Sequence, residues 1–191
     1  MGLVINKTKG WSFIHIPKTG GTSISNILLK EENSDFKTGH DSVRILEDFK
    51  YKYIFTFVRN PFTRIQSAYY HGLRKEEHNY SFEDFLKKSN VNDLWLLPQV
   101  FYTKTDKDSL NKISYIGKYE NFKNEVNHIF ETIGIKSTYI PHLNRNPIYD
   151  KHPNLNQHQY YKNLYTEEWM KDLVRERYKD DFKQFNYELE I

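Results

Sequence analysis

The stretch that decides the fold reads SFIHIPKTGGTS and occupies residues 12–23 of the 191-residue chain. Its first part, residues 12–16, is a short run rich in apolar and β-branched side chains, which predicts a buried strand. Pro17 and the pair Gly20–Gly21 predict a tight loop, and residues 24–28 place apolar side chains at helical spacing. The stretch therefore predicts a strand, a glycine loop and a helix in direct succession.

Two further strand and helix pairs follow along the chain. Residues 53–58 predict the strongest strand, and Pro61 is well placed as the first residue of the next helix. A third strand is predicted at residues 113–116, before a helix whose apolar positions span residues 122–133. Because strands alternate with helices, we expect one α/β domain over residues 1–191, built on a central parallel sheet.

Three other segments complete the expected organisation. Residues 42–49 predict a short helix, whereas residues 140–157 carry three prolines and many asparagines and predict a long loop. A last helix is expected from Thr166, as its cap, to Phe185. Gly134 suits the position just beyond the helix that precedes the long loop.

Composition narrows the class of protein. Hydrophobic residues make up 38% of the chain and charged residues 28%, which is typical of a globular protein. The absence of cysteine excludes a disulfide framework and a thiolate metal site. The net charge of +3 suits an anionic ligand, but no basic run indicates nucleic acid. No apolar run approaches the ~18 residues of a membrane span and the start lacks a signal-peptide pattern, so we expect a cytoplasmic protein.

The glycine loop has the chemistry of an anion site. Gly20 and Gly21 allow backbone N–H groups to turn inward, the helix start adds partial positive charge, and Lys18 adds a full charge. Thr22 and Ser23 add hydroxyls and are candidate caps of the helix. The alternative is an ordinary strand-to-helix turn with a solvated lysine. A Walker A loop places its lysine after the glycines, so this order disfavours an ordinary nucleotide kinase.

A second anion site is predicted at Arg59. An arginine at the carboxyl end of a strand lies at the edge where open α/β sheets bind ligands. Its guanidinium can hold a phosphate through two bonds, and Ser67 in the next helix can share that phosphate. Two anion sites together suit one ligand that carries phosphates at both ends of an adenosine.

Both segments resemble those of a known enzyme family. Residues 13–23 resemble the 5′-phosphosulfate loop of the Golgi-type carbohydrate sulfotransferases, and residues 57–69 resemble their 3′-phosphate motif. Residues 38–40 resemble the segment that carries the catalytic histidine in the heparan sulfate uronyl 2-O-sulfotransferase branch. The resemblance spans most of the chain and implies a P-loop-like three-layer α/β/α domain. The short, cysteine-free chain without a membrane anchor favours a small bacterial or viral member.

The resemblance also implies a reaction. The donor would be 3′-phosphoadenosine 5′-phosphosulfate (PAPS), the acceptor a hydroxyl of a carbohydrate, and the product 3′-phosphoadenosine 5′-phosphate (PAP). Lys18 would stabilise charge on the leaving oxygen, His40 would act as the general base of an in-line displacement, and Arg59 with Ser67 would hold the 3′-phosphate. The remaining residues expected around the phosphosulfate are Thr19, Gly20, Gly21, Thr22 and Ser23.

Several other residues and two other functions also bear on the predicted activity. His15 is expected to pack beside the loop, and six further histidines lack metal-ligand spacing, so no metal is predicted. Arg64 is assigned to a salt bridge or to bracing the loop, and Arg145 to the donor or to an anionic acceptor. Two alternatives stay open: a P-loop phosphotransferase (kinase), which needs a Mg²⁺ carboxylate that no predicted strand end supplies, and an inactive module that binds adenosine bisphosphate.

Overall fold

The computed structural model describes residues 2–38, 51–75, 77, 79–90, 92–93, 95–103, 113–136 and 164–191. These residues belong to two compact units, Met1–Arg59 with Gln99–Leu143, and Asn60–Pro98 with Asn144–Ile191. The predicted base His40, the predicted helix at residues 42–49 and the loop with Arg145 lie outside the described residues. The prediction of a single domain over residues 1–191 stays a prediction.

The first unit is built on a five-stranded sheet. Its strands are β1 (Gly2–Asn6), β2 (Trp11–Ile14), β3 (Ser34–Thr38), β4 (Tyr53–Val58) and β5 (Tyr115–Lys118). The strand order is β3-β1-β2-β4-β5, in which β2, β4 and β5 run parallel. The α/β class and the parallel arrangement of the three predicted strands are therefore confirmed. β1 and β3, which the sequence analysis did not predict, extend the sheet with antiparallel pairs.

Seven α-helices and one short 3-10 helix, Tyr119–Asn121, are described in the two units. The α-helices are α1 (Gly21–Leu28), α2 (Pro61–Arg74), α3 (Phe82–Lys88), α4 (Gln99–Thr103), α5 (Phe122–Ile133), α6 (Glu168–Arg177) and α7 (Lys179–Gln184). The predicted start of α2 at Pro61 is confirmed, with the Asn60 side chain accepting from the Phe62 N–H at 2.9 Å. Gly134 ends α5 with a left-handed φ of 72°, as its position in the sequence predicts.

An apolar core holds the first unit together at the sheet. Phe13 on β2 stacks on Phe55 on β4, with ring centroids 5.2 Å apart. Ile24 and Leu28 of α1 and Ile129 of α5 belong to the same buried cluster. Each such side chain contributes roughly 1.5–3 kcal/mol by leaving water. Because β2 and β4 are anchored through these rings, the loops that leave their carboxyl ends start from a rigid base.

The second unit is helical and has its own core. Phe62 of α2, Phe82 of α3 and Phe182 of α7 belong to one buried cluster. The single C-terminal helix expected over residues 166–185 is two helices, because Tyr178 between them has φ −120° and ψ 23°. Thr166 does not cap α6, whose N-cap is Glu167 without a side-chain bond. The break lets the buried Tyr178 hydroxyl donate to the Leu96 carbonyl at 2.8 Å.

Candidate active site

The carboxyl ends of β2, β4 and β5 meet at one edge of the first unit's sheet, because these strands are parallel neighbours. β2 leads into the glycine loop, β4 ends just before Arg59, and β5 ends just before Tyr119. Ligands of open α/β sheets bind at this edge. The fold therefore brings the predicted loop and the predicted arginine to the same place.

The backbone of the loop has an unusual conformation. Lys18 and Gly20 both have left-handed φ values, of 66° and 84°. Backbone that alternates in this way directs N–H groups toward one point and forms an anion-binding concavity. A left-handed conformation costs a lysine about 1 kcal/mol, and such strain is concentrated at functional sites. Thr19 stabilises the loop, because it is fully buried and its hydroxyl donates to the Ile16 carbonyl at 2.9 Å.

The start of α1 is left open to a negative charge. Gly20 is the N-cap, no side chain caps the helix, and no acidic residue lies in its first turn. The expectation that Thr22 or Ser23 caps the helix is therefore wrong, because the left-handed Gly20 starts the helix before them and both lie inside its first turn. Thr22 is exposed and Ser23 is buried. With no side-chain cap and no acidic residue in its first turn, the helix start can direct its partial positive charge at a bound anion.

Both glycines of the loop are also required by the rings packed against them. A Cβ atom on Gly20 would lie 2.6 Å from Cε2 of Phe122, and one on Gly21 would collide with the ring of His15. His15 is half-buried and stacks on Phe13, with ring centroids 6.0 Å apart. Burial, with a contribution from the charge of Lys18, lowers the pKa of His15 to about 4, so the ring is neutral at pH 7.

Arg59 lies against the same loop. Its side chain is 4% exposed, and Nη1 donates to the Lys18 carbonyl at 3.4 Å. The guanidinium carbon stands 4.3 Å from the centre of the Tyr119 ring, within the range of a cation–π contact. The arrangement holds a second positive charge beside Lys18 and stabilises the loop backbone at the same time.

Gln99 fixes the position of Arg59 and was missed by the sequence analysis. Its side-chain amide accepts from the Arg59 N–H and donates to the Arg59 carbonyl, both at 2.8 Å, and it is fully buried. This pair of bonds occupies both backbone groups of Arg59 where β4 ends, so Gln99 acts as a positioning residue. No local pattern around Gln99 indicates this contact, because the partner lies forty residues away.

Three other residues of the sequence analysis belong to the second unit or lie outside the described residues. Ser67 is on α2 in the second unit and partly exposed, and its contact with a phosphate stays a prediction. His40 lies outside the described residues, so its role as base also stays a prediction. Arg64 is buried in the second unit, where it donates to the backbone carbonyls of Trp95 and Leu97.

Two other kinds of site are absent from the described part of the chain. No group of three or more histidines and carboxylates there is arranged to hold a metal ion. None of the helices that can be described combines the length and the hydropathy needed to cross a membrane.

Comparison with known proteins assigns the family. The model of the sulfotransferase family matches residues 1–188. The chain is 30% identical over 83 residues to an uncharacterized protein of Archaeoglobus fulgidus, an alignment that covers 43% of this chain and 68% of that protein. No solved structure matches the chain significantly. Because the family model spans nearly all of the sequence, including the loop and Arg59, the chain belongs to the sulfotransferase family, whose enzymes transfer sulfuryl groups.

Proposed function

We propose that this protein transfers the sulfuryl group of PAPS to a hydroxyl acceptor, and that the acceptor is a carbohydrate. The observation that carries the proposal is the strained loop with Lys18 at an uncapped helix start, beside a second cation at Arg59. A donor with anionic groups at both ends needs two such positive charges.

The residues present fit the anionic donor. Lys18 is partly exposed, the Thr22 hydroxyl is exposed, and the first N–H groups of a helix have no partner within it. These groups would hold the phosphosulfate, with Thr19, Gly20, Gly21 and Ser23 forming the surrounding backbone. When bound, the donor supplies a sulfur atom joined to a good leaving oxygen. Lys18 then stabilises the negative charge that develops on that oxygen, which is worth more in the transition state than before it.

A general base completes the reaction, and we assign it to His40 from the resemblance of residues 38–40. The acceptor oxygen forms a bond to sulfur while the bond from sulfur to the phosphate oxygen breaks, and PAP leaves with that electron pair. An alcohol is a weak nucleophile at neutral pH, so its proton must be taken as the new bond forms. A histidine with an ordinary pKa near ~6.5 can accept this proton around pH 7.

The finer assignment within the family belongs to the same proposal. The loop and the Arg59 segment favour a P-loop-like domain of the Golgi-type carbohydrate branch, and residues 38–40 favour the heparan sulfate 2-O-sulfotransferase type. The same resemblance, in a small chain, favours a cytoplasmic bacterial or viral enzyme. The family match speaks against the phosphotransferase alternative. An inactive module that binds adenosine bisphosphate would keep the ligand site without turnover.

Calorimetry and a turnover assay test the proposal. Wild-type protein should bind PAP more tightly than AMP, and more tightly than ATP with or without Mg²⁺. Turnover of PAPS should be found with at least one member of a panel of glycans, phenols and tyrosyl peptides. Tighter binding of ATP with Mg²⁺ than of PAP would overturn PAPS as the donor. Turnover confined to phenols or peptides would overturn the carbohydrate as the acceptor. Binding of PAP without any turnover would favour the inactive binding module.

Arg59→Ala separates two roles for this arginine. If Arg59 with Ser67 holds the 3′-phosphate, PAP affinity should fall about ten- to a hundredfold, the worth of a charge-assisted bond, while AMP affinity changes little. If its contact with the Lys18 carbonyl matters most, both ligands should weaken equally, which would remove the 3′-phosphate role. Arg74→Ala, which removes the same charge from an exposed position on α2, serves as the control.

A further inference from the structure

The second unit contains a cavity whose lining residues have no role in the proposed transfer. Its volume is about 550 Å³, and its described lining comes from α2, α3, Glu77 and residues 92–93 and 95–96. Ligand sites for small molecules are of this size and combine an apolar floor with a few polar groups. Here Ala68, Phe85 and Leu96 supply apolar wall, while polar side chains stand around them.

Trp95 is the main aromatic surface of this cavity. Its side chain is 47% exposed, and its ring stacks on His71 with centroids 4.6 Å apart and planes inclined by 27°. Arg74 Nη2 lies 2.9 Å from Nδ1 of His71. A guanidinium can only donate, so Nδ1 accepts and the ring proton of a neutral His71 is on Nε2. The indole is therefore backed by a ring whose orientation is held by a third side chain.

The backbone behind Trp95 is held by buried donors. Arg64, 2% exposed, donates to the carbonyl of Trp95 at 3.3 Å and to that of Leu97 at 2.8 Å. The buried Tyr178 hydroxyl donates to the carbonyl between them, that of Leu96, at 2.8 Å. Three successive carbonyls are thus bonded from inside the unit. A large aromatic side chain that is presented to solvent from a rigid backbone is pre-organised to receive a flat apolar surface.

The polar groups around the cavity accept hydrogen bonds. Glu77 and Asp93 contribute carboxylates, and Asn92 contributes an amide. Among the lining residues that the structure describes there are two carboxylates and neither lysine nor arginine. This charge disfavours a sulfated or uronate sugar and suits a ligand that donates through hydroxyl groups.

We propose that this cavity is a binding site for a neutral sugar ring. A pyranose has a face of C–H groups, which can lie on the Trp95 indole, and hydroxyls at its edge, which can donate to Asp93 and Glu77. Aromatic rings provide large apolar contact with little loss of side-chain freedom. The proposal does not require that the chain transfers sulfuryl groups, because it concerns binding alone.

NMR titration of the whole chain with simple sugars tests this site. The chain has three tryptophans, Trp11, Trp95 and Trp169, and the indole N–H signal of each is the readout. Methyl β-glucopyranoside, methyl β-galactopyranoside and N-acetylglucosamine are the probes, with glucuronate and tetramethylammonium as charged competitors. At least one neutral sugar should shift the Trp95 signal with a dissociation constant of about 1 mM and leave the other two unchanged.

Two variants and a matched control make the test specific. Trp95→Ala should weaken the sugar at least about tenfold, while Trp169→Ala, which removes another exposed indole of the same unit, should not. Asp93→Asn keeps the shape of the side chain but removes a charged acceptor, so it should weaken the sugar about tenfold.

Several results would overturn the site. The shift of the Trp95 signal could fail to saturate by about 0.1 M sugar, or Trp95→Ala could bind sugar as tightly as the wild type. Glucuronate or tetramethylammonium could also bind more tightly than any neutral sugar. A parallel PAP titration keeps this question apart from the proposed function. Loss of sugar binding with normal PAP binding rejects the cavity alone, and the reverse result rejects the donor assignment alone.

Discussion

The prediction that tests the loop most directly compares two glycines with the same backbone conformation. Gly20 has φ 84° and Gly134 has φ 72°, and both belong to the first unit. A methyl group on Gly20 would lie 2.6 Å from Cε2 of Phe122 and 3.2 Å from Cε2 of Tyr119. A methyl group on Gly134 would meet nothing within 4 Å. Gly134→Ala therefore controls for backbone strain in Gly20→Ala.

The expected magnitudes follow from these contacts. Alanine in a left-handed conformation costs about 1 kcal/mol, and both variants carry that cost. Gly20→Ala must also displace a packed ring, which adds about 1–3 kcal/mol. In a chain of this length each 1 kcal/mol lowers Tm by about 2–4 °C. We therefore expect a loss of about 2–4 °C for Gly134→Ala and about 4–16 °C for Gly20→Ala.

Thermal unfolding and PAP calorimetry on the same samples provide the assay. Because the ring and the anion loop meet at Gly20, the displacement should also weaken PAP about tenfold or more, while Gly134→Ala keeps wild-type affinity. Equal losses of Tm in the two variants would refute the packing argument. Wild-type PAP affinity in Gly20→Ala would refute the assignment of the loop as the anion site.

Four further predictions concern single side chains. Lys18→Gly and Asn33→Gly, which replace residues with φ values of 66° and 62°, should each raise the free energy of unfolding by about 0.5–1 kcal/mol. Only Lys18→Gly should abolish turnover, so the same turnover rate in both variants would contradict the catalytic role of Lys18. Gln99→Met releases the Arg59 backbone and should reproduce the ligand pattern of Arg59→Ala with a loss of about tenfold, so unchanged PAP affinity would count against it. The pKa of His15 is about 4 in the folded protein, below the ordinary value of 6.5. The free energy of unfolding should therefore be highest above pH 6.5 and fall by a few kcal/mol as the pH is lowered to 4. Urea titrations should show a weaker pH dependence of this free energy for His15→Phe. His40→Ala should keep PAP affinity, lose about 10²–10⁴-fold in turnover and lose the acid limb of the pH profile, and a near-normal rate would exclude this base.

Local rules were enough to predict several elements from the sequence. The strand Tyr53–Val58 and the helices that begin at Pro61 and end before Gly134 match the prediction, because apolar periodicity and the terminal residues act within a few positions. The strand-loop-helix unit around Lys18 was predicted for the same reason. The third strand was expected at residues 113–116 and lies two residues later, at Tyr115–Lys118.

Other elements depend on partners that are distant in the sequence. β1 has only five residues, all buried, and a short apolar run does not distinguish a strand from other buried segments. β3 is an edge strand whose described side chains are mostly exposed, so it lacks an apolar pattern. The break at Tyr178 also has no local signal, since that ring packs in the second core and its hydroxyl bonds to Leu96, which is distant in the sequence.

The sequence by itself determined which chemistry the loop offers: a lysine, two glycines and two hydroxyls between a strand and a helix. Only the tertiary structure decided how these groups are held. The bond from Arg59 to the Lys18 carbonyl, the two bonds of Gln99 to the Arg59 backbone and the bond from Arg64 to the Trp95 carbonyl each join segments without a shared local pattern. Periodicity and capping act over one or two turns of chain, whereas these contacts form between residues about thirty to forty positions apart. Their geometry is set by packing of the cores, which no single segment contains.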